Sequence, residues 1–184
     1  METNISYFTN FTASPKNITL DEFCLGVIAG YWKEQVLEVR KSTNKAEAKK
    51  QLPGVTISGV FNGWRRTENL VEHSGFFCVD IDRKENEAVT DWDDLKREIG
   101  KTAYFVACSA SGYGLFAIYR YNPSMYDIKE VFTFVQQYFY STGIVIDPAC
   151  SDITRLRFVS YDPEAIYNPD GGVFNDKQPG RGLL

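Results

Sequence analysis

The sequence has almost no histidine, and that shortage removes several kinds of chemistry at once. A single imidazole, His73, stands in 184 residues. No two-histidine metal site and no mechanism needing a histidine pair can be built within this chain. His73 precedes an apolar run and reads as a surface or turn residue. There is no C-x-x-C pair either. Cys24, Cys78, Cys108 and Cys150 are widely spaced, and two of them, Cys78 and Cys108, fall inside strand-like runs. That pattern favours buried, reduced thiols of a cytosolic protein over a disulfide framework or a zinc site. The longest apolar stretch, Phe23 to Trp32, is about half the length of a membrane span. The opening METNISYFTNFT lacks both a basic start and an apolar run. No signal peptide and no membrane partner are expected, and the location expected is cytoplasmic. The sequons at Asn4, Asn10 and Asn17 then read as accidental.

Internal repeats, low-complexity tracts and long Pro/Gly/Ser linkers are also missing. A single domain over residues 1–184 is therefore expected, with a helical N-terminal part at 1–52, a sheet-containing core at 53–163 and a loop-rich tail at 164–184. The chain has enough material for a substantial core, at 43% hydrophobic and 15% aromatic residues, and disorder is a poor reading. The net charge of −4 argues against a protein wholly devoted to coating nucleic acid. Its distribution says more. Lys33, Arg40, Lys41, Lys45, Lys49, Lys50, Arg65 and Arg66 face only Glu34, Glu38 and Glu47 between positions 33 and 66, a local +5 that leaves −9 elsewhere. This is either a solvated helix face or a patch for phosphates.

Hydrophobic spacing places a helix from about Leu20 to Val39, capped by Thr19 or Asp21 and weakened at Gly26 and Gly30, where it can break in two. Val55 to Phe61 and Phe76 to Ile81 read as strands. A short helix capped by Thr90 ends at Gly100. Thr102 to Ser109 and Gly114 to Tyr121 form a hairpin, Ser124 to Ser141 is a strong amphipathic helix, and Ile144 to Ile146 and Arg155 to Tyr161 are the last strands. This order predicts an α+β fold: a mostly antiparallel sheet with helices packed on one face and the other face free for a ligand.

Three segments can carry chemistry. In Phe76-Phe77-Cys78-Val79-Asp80-Ile81-Asp82 the strand period puts Phe77, Val79 and Ile81 on one face and both aspartates on the other. Carboxylates about 6–7 Å apart at their backbones can converge on a hard cation such as magnesium. The alternative is a strand end neutralised by Arg83 and Lys84. In Ser109-Ala110-Ser111-Gly112-Tyr113-Gly114, small residues allow backbone amides to approach an anion. With no Gly-Lys-Ser/Thr ending and a strand following, it is not a P-loop, and a plain hairpin is the alternative. In the segment from Asp147 to Phe158, Arg155 and Arg157 alternate with apolar residues and offer two forks suited to a polyphosphate. Asp147, or its rival Asp152, could be a third carboxylate. An Asp–Arg salt-bridge network would also account for this pattern.

Together these segments resemble the VirE N-terminal domain family, domains similar to archaeo-eukaryotic primase-polymerases that occur in mobile elements, often joined to a helicase-like region. The likeness runs through Leu52-Pro53-Gly54-Val55-Thr56-Ile57-Ser58-Gly59, Ser74-Gly75 into Asp80-Ile81-Asp82, Ser109 to Leu115, and Asp147-Pro148 through Arg155-Leu156-Arg157-Phe158-Val159-Ser160-Tyr161-Asp162-Pro163. The resemblance implies a primase-polymerase palm with an RRM-like sheet. It implies Mg2+ or Mn2+ on Asp80, Asp82 and Asp147 for nucleotidyl transfer. A nucleoside triphosphate would be held by Ser109, Ser111, Gly112, Gly114, Arg155 and Arg157. Single-stranded nucleic acid would lie on Lys49, Lys50, Trp64, Arg65 and Arg66, with a helicase-like protein or a missing C-terminal region as partner. One departure stands out. Where the family places a phosphate-binding His or Lys, this chain has Leu115-Phe116, and an apolar ring donates nothing to a phosphate. Two functions follow: a primase-polymerase-type nucleotidyltransferase acting in mobile-element replication, or an inactive module of the same fold that binds nucleic acid or a partner. A magnesium nuclease would use the same carboxylates but leaves the paired arginines without a purpose.

Overall fold

The computed structural model describes residues 2–10 and 12–174; the end of the expected tail, 175–184, lies outside the described residues. The chain opens with strands β1 (Asn4–Phe8) and β2 (Lys16–Thr19), then helices α1 (Leu20–Ala29), α2 (Lys33–Lys41) and α3 (Lys45–Lys49). Strands β3 (Gly54–Thr56), β4 (Gly59–Phe61), β5 (Leu70–His73) and β6 (Phe76–Asp82) follow. Helix α4 (Trp92–Gly100), the hairpin β7 (Phe105–Cys108) and β8 (Gly114–Arg120), helix α5 (Ile128–Ser141) and the short strands β9 (Arg157–Phe158) and β10 (Ile166–Tyr167) complete the order.

The central sheet runs β10-β7-β8-β6 and is antiparallel throughout. With α4 between β6 and β7, and α5 after β8, this is the β-α-β-β-α part of the split β-α-β layout of RRM-like sheets. The fourth strand of that layout, expected at Ile144–Ile146, forms no ladder. Its place beside β6 is held by one backbone bond, Asp147 N–H to Asp80 O at 2.9 Å, and by a side chain. Asn86 is buried, donates to Val145 O at 2.8 Å and accepts from Val145 N–H at 2.7 Å. An amide side chain thus substitutes for a strand neighbour, satisfying backbone groups that would otherwise be orphaned.

Alternation along β6 sorts its two faces. Phe77, Val79 and Ile81 join Leu115, Ala117 and Tyr119 under α4 and α5, so helices pack on one face as expected. Helix α5 earns its place by sequence: Asp127 and Glu130 form a reciprocal capping box, and Ile128, Val131, Phe132, Val135 and Phe139 make its buried stripe. Helix α4 starts one residue later than expected, with Asp91 rather than Thr90 as cap.

The opposite face was expected to be open, and it is not. A second core built from Phe105, Phe116 and Ile118 with Leu20, Phe23, Val27 and Val36 covers most of it. What covers it is the N-terminal part, which is not purely helical. Its hairpin β1–β2 belongs to a second antiparallel sheet, β2-β1-β3-β9. The expected long N-terminal helix breaks at Gly30, which adopts the left-handed conformation (φ 81°) and closes α1 with its N–H on Gly26 O. The single strand expected over 55–61 is also two. Thr56 Oγ1 donates to Gly59 O at 2.9 Å, turning the chain so that β3 joins the second sheet and β4 pairs with β5. The last expected strand shrinks to β9, because Arg155 N–H is already turned back onto Asp152 O.

The segment after β9 is anchored by a buried ion pair. Lys96 Nζ lies 3.2 Å from Asp162 Oδ2, with both side chains under a tenth exposed, and the same oxygen accepts Cys108 N–H at 2.8 Å. Removing one member leaves an uncompensated buried charge. Asp162→Ala should therefore cost about 3–5 kcal/mol, read as a lower urea midpoint. A loss below about 1 kcal/mol would show that this anchor carries little.

Candidate functional site

Where β6 ends, the two sheets part and leave a cleft of about 360 Å³. Its charged lining is balanced, with Asp80, Asp82, Asp147 and Asp152 against Lys49, Arg65, Arg155 and Arg157. Such a lining can take a cation and a polyanion side by side.

Asp80 and Asp82 leave the same face of β6, as the period of two requires, but in different settings. Asp80 is buried opposite Phe116 on β8, whereas Asp82 lies at the exposed strand end opposite Gly114. That pairing needs glycine. Gly114 has φ 146°, and a Cβ there would stand 2.4 Å from Ile81 O. Asp147 reaches the site from the segment after α5, tied to β6 by its N–H on Asp80 O. Its Oδ1 caps the following 3-10 turn, Pro148–Ser151, through Ala149 N–H at 2.9 Å, and its Oδ2 accepts from Arg155 at 2.9 Å.

Arg157 comes from the other sheet and Arg155 from the segment just before it. Arg157 sits on β9, in register with Val55 of β3, and its guanidinium donates to Asp80 Oδ1 while lying 4.7 Å over the Phe116 ring. Phe116, fully buried where the resemblance leads one to expect a phosphate donor, is thus the platform for an arginine. Burial works against the charge on Arg157. Asp80, Cys78 and Cys150 together outweigh it, so the guanidinium stays above even its usual high range. At Arg65, which donates to Thr154 O at 3.0 Å, burial pulls the pKa down and Asp152 resists. Asp152 itself is committed to a local turn through Thr154 N–H and Oγ1.

The rim turn is rigid. Ser109 N–H bonds Gly114 O and Gly112 N–H bonds Ser109 O, each at 2.9 Å. Arg40 of α2 clamps it from below, donating to Ser109 O at 3.2 Å, Ala110 O at 3.4 Å and Tyr161 O at 2.7 Å. One cation of the basic segment is therefore a structural staple, and the Gly112 amide is used inside the turn. Ser109 lines the cleft, whereas Ser111 faces a neighbouring depression beside Asp82 and Tyr113. Among the basic candidates, Lys49 and Arg65 line the cleft. Lys50 pairs with Glu47, Arg66 pairs with Glu68, and Trp64 is 62% exposed outside the cleft.

One residue at the centre was not singled out from the sequence. The Cys150 thiol is buried 3.5 Å from Asp80 Oδ2, and ligand atoms of Asp80, Asp147 and Cys150 all lie within 4.8 Å of one another. Burial first, and Asp80 second, hold this thiol well above its ordinary pKa. Asp82 and Asp152 are not in that group. The spacing Asp147-Pro-Ala-Cys150 was the available signal, since residues three apart eclipse in a 3-10 turn. All four cysteines are free, and no helix among the described residues is long and apolar enough to cross a membrane.

Fold and site together define an α+β chain with an RRM-like sheet and an acidic strand end countered by Arg157 of a second sheet and by Arg155 just before it. The chain belongs to the BT4734-like family, and the sequence model of the BT4734-like N-terminal domain matches residues 47–167. The matched stretch takes in Lys49, both β6 aspartates and the whole Asp147–Arg157 segment. Kinship with the VirE N-terminal domains rests on the motifs alone. The chain is similar to a crystal structure of primase RepB' at 15% identity and TM-score 0.33, over 86% of this chain and 44% of that one, so it spans less than half of that protein. No curated protein matches the chain.

The setting of Asp82 makes a pH prediction. Burial raises its pKa above the ordinary carboxylate value, and Asp80 and Glu85 add to the shift. Above this raised pKa the ionised group weighs on the fold, and the cost is relieved as pH falls through it toward the ordinary value. Asp82→Asn should raise the thermal midpoint at neutral pH, with the gain vanishing once pH drops below the ordinary carboxylate range. Identical melting profiles across that window would contradict this setting.

Proposed function

We propose that the cleft is a nucleotidyl-transfer site of primase-polymerase type, using Asp80, Asp82 and Asp147 toward a divalent cation and Arg155 and Arg157 toward a nucleoside triphosphate. One observation carries this reading. Carboxylates from two distant segments, Asp80 and Asp147, are brought together by a backbone hydrogen bond and met by two guanidiniums in one cleft. Their donor atoms fit a cation, because they approach within 4.8 Å of each other and of a third ligand atom.

Bound there, a divalent cation would supply Lewis-acid stabilisation of the attacking and leaving oxygens. The chain's own residues do the rest. Arg157 and Arg155 now neutralise Asp80 and Asp147. With Asp80 and Asp147 holding a cation, Arg157 and Arg155 would be free to grip the triphosphate in bidentate fashion. Phe116 keeps Arg157 in place by stacking, so the arginine takes over the phosphate contact that the aromatic ring does not make. The Arg40 clamp holds the Ser109–Gly114 turn as a fixed wall. Lys49 and Arg65 would steer single-stranded nucleic acid into the cleft, with exposed Trp64 as a stacking surface beside it. On this reading the chain works in the cytoplasm in replication of a mobile element, as a relative of the VirE-type domains and together with a helicase-like partner or region.

The second reading is a binding module of the same fold without catalysis. It is favoured by the closed Arg157–Asp80 pair and by Phe116 in the position of a phosphate donor. Incorporation of labelled nucleotides on a single-stranded template separates the two. The enzyme requires a divalent cation and loses on the order of a thousandfold in rate in Asp80→Asn, the equivalent of several kcal/mol of barrier. Template binding without incorporation, unchanged in Asp80→Asn, would leave the module as the function.

A further inference from the structure

We propose that Cys150 is a metal ligand, so that the cleft takes a thiophilic divalent cation such as Zn2+ or Co2+ on Asp80, Asp147 and Cys150 in preference to Mg2+. This rests on the reading that a cation occupies these carboxylates, and it names which cation that is.

Two constraints bring the donors together. The 3-10 turn Pro148–Ser151 puts Asp147 and Cys150, three residues apart, on one side of the chain. The backbone bond from Asp147 N–H to Asp80 O docks that turn against β6. The thiol then points at the free oxygen of Asp80, Oδ2, at 3.5 Å, while Oδ1 of the same carboxylate faces Arg157. Zinc bonds of about 2.0–2.3 Å imply donor separations of about 3.3–3.8 Å around a tetrahedral ion. A group already within 4.8 Å needs only a small contraction to reach this. Magnesium demands a near-octahedral shell of oxygens, and the Cys150 thiol, which offers none, occupies one side of this group. Two oxygens and one sulfur suit zinc or cobalt, with the fourth position left for water or a phosphate oxygen. Coordination replaces the S–H bond with an S–metal bond and releases one proton to solvent. It also displaces the guanidiniums, whose positive charge now stands where the ion would act.

The test is a Co2+ titration of the reduced full chain, followed by competition with Zn2+ and Mg2+. The expected result is a sulfur-to-cobalt charge-transfer band that saturates at one ion per chain, is abolished by stoichiometric Zn2+ and survives a large excess of Mg2+. Cys150→Ser should lose the band and weaken Zn2+ binding by more than about a hundredfold, beyond what loss of a ligand's supporting partner costs. Cys78→Ser should keep both. If Cys150→Ser does not fold, X-ray absorption of the Zn2+-loaded native chain, showing one sulfur among the ligands, replaces it. Cobalt bound through oxygen alone, or a band that persists in Cys150→Ser, overturns the proposal. Oxygen-only binding that still needs Asp80 and Asp147 leaves the nucleotidyl-transfer reading standing, whereas absence of any divalent binding removes both.

Discussion

The buried pair between Arg157 and Asp80 is the constraint on which the rest of the site depends. It joins β9 of one sheet to β6 of the other, and the Phe116 ring lies beneath the guanidinium. Breaking such a pair by removing one partner costs about 3–5 kcal/mol, and the desolvated cation–π contact adds about 2. Those figures are comparable with the whole stability of a typical domain, ~5–15 kcal/mol. The cleft is therefore not an idle gap between sheets. Its width and the direction of its carboxylates are set by a charge pair that a ligand must replace with an equal positive charge, or leave alone.

This explains why residues from distant segments act together. Helix α2 supplies Arg40 to fix the Ser109–Gly114 turn, α4 supplies Lys96 to fix Asp162, and Asn86 stands in for a missing strand beside Val145. Each is a polar side chain that satisfies buried backbone or charge, and each holds a segment bearing a site residue. Packing forms the two cores, while these few polar contacts decide where Asp147, Arg155 and Arg157 end up relative to β6. Loss of a core methylene would loosen the fold as a whole. Loss of one of these contacts would misplace the site with the cores intact.

Much of this was legible in the chain because it depends on local periodicity. The two-residue alternation of β6 placed both aspartates opposite Phe77, Val79 and Ile81, and the stripe of α5 identified the helix that covers that face. What escaped was long-range. The β1–β2 hairpin is short, so its pairing with β3 has no local signature. Whether Arg157 belongs to the central sheet or to another one is a matter of register with Val55, which spacing within the segment itself does not reveal. Cys150 was hidden for the same reason: its nearness to Asp80 comes from a hydrogen bond across the fold. Arg40 looked like one charge among many in a basic run, and only the three carbonyls around it distinguish it from Lys41, which pairs with Glu38 at the surface.

In the exchange of counter-charges we propose, a cation would take Asp80 and Asp147 and the arginines would pass to phosphate. Calorimetric titration of a nucleoside triphosphate into the native chain, with and without a saturating divalent cation, measures that coupling directly. With the exchange in place, the cation tightens triphosphate binding by roughly 5–150-fold, with the reciprocal effect of the triphosphate on the cation. Equal triphosphate affinity in both conditions would contradict it.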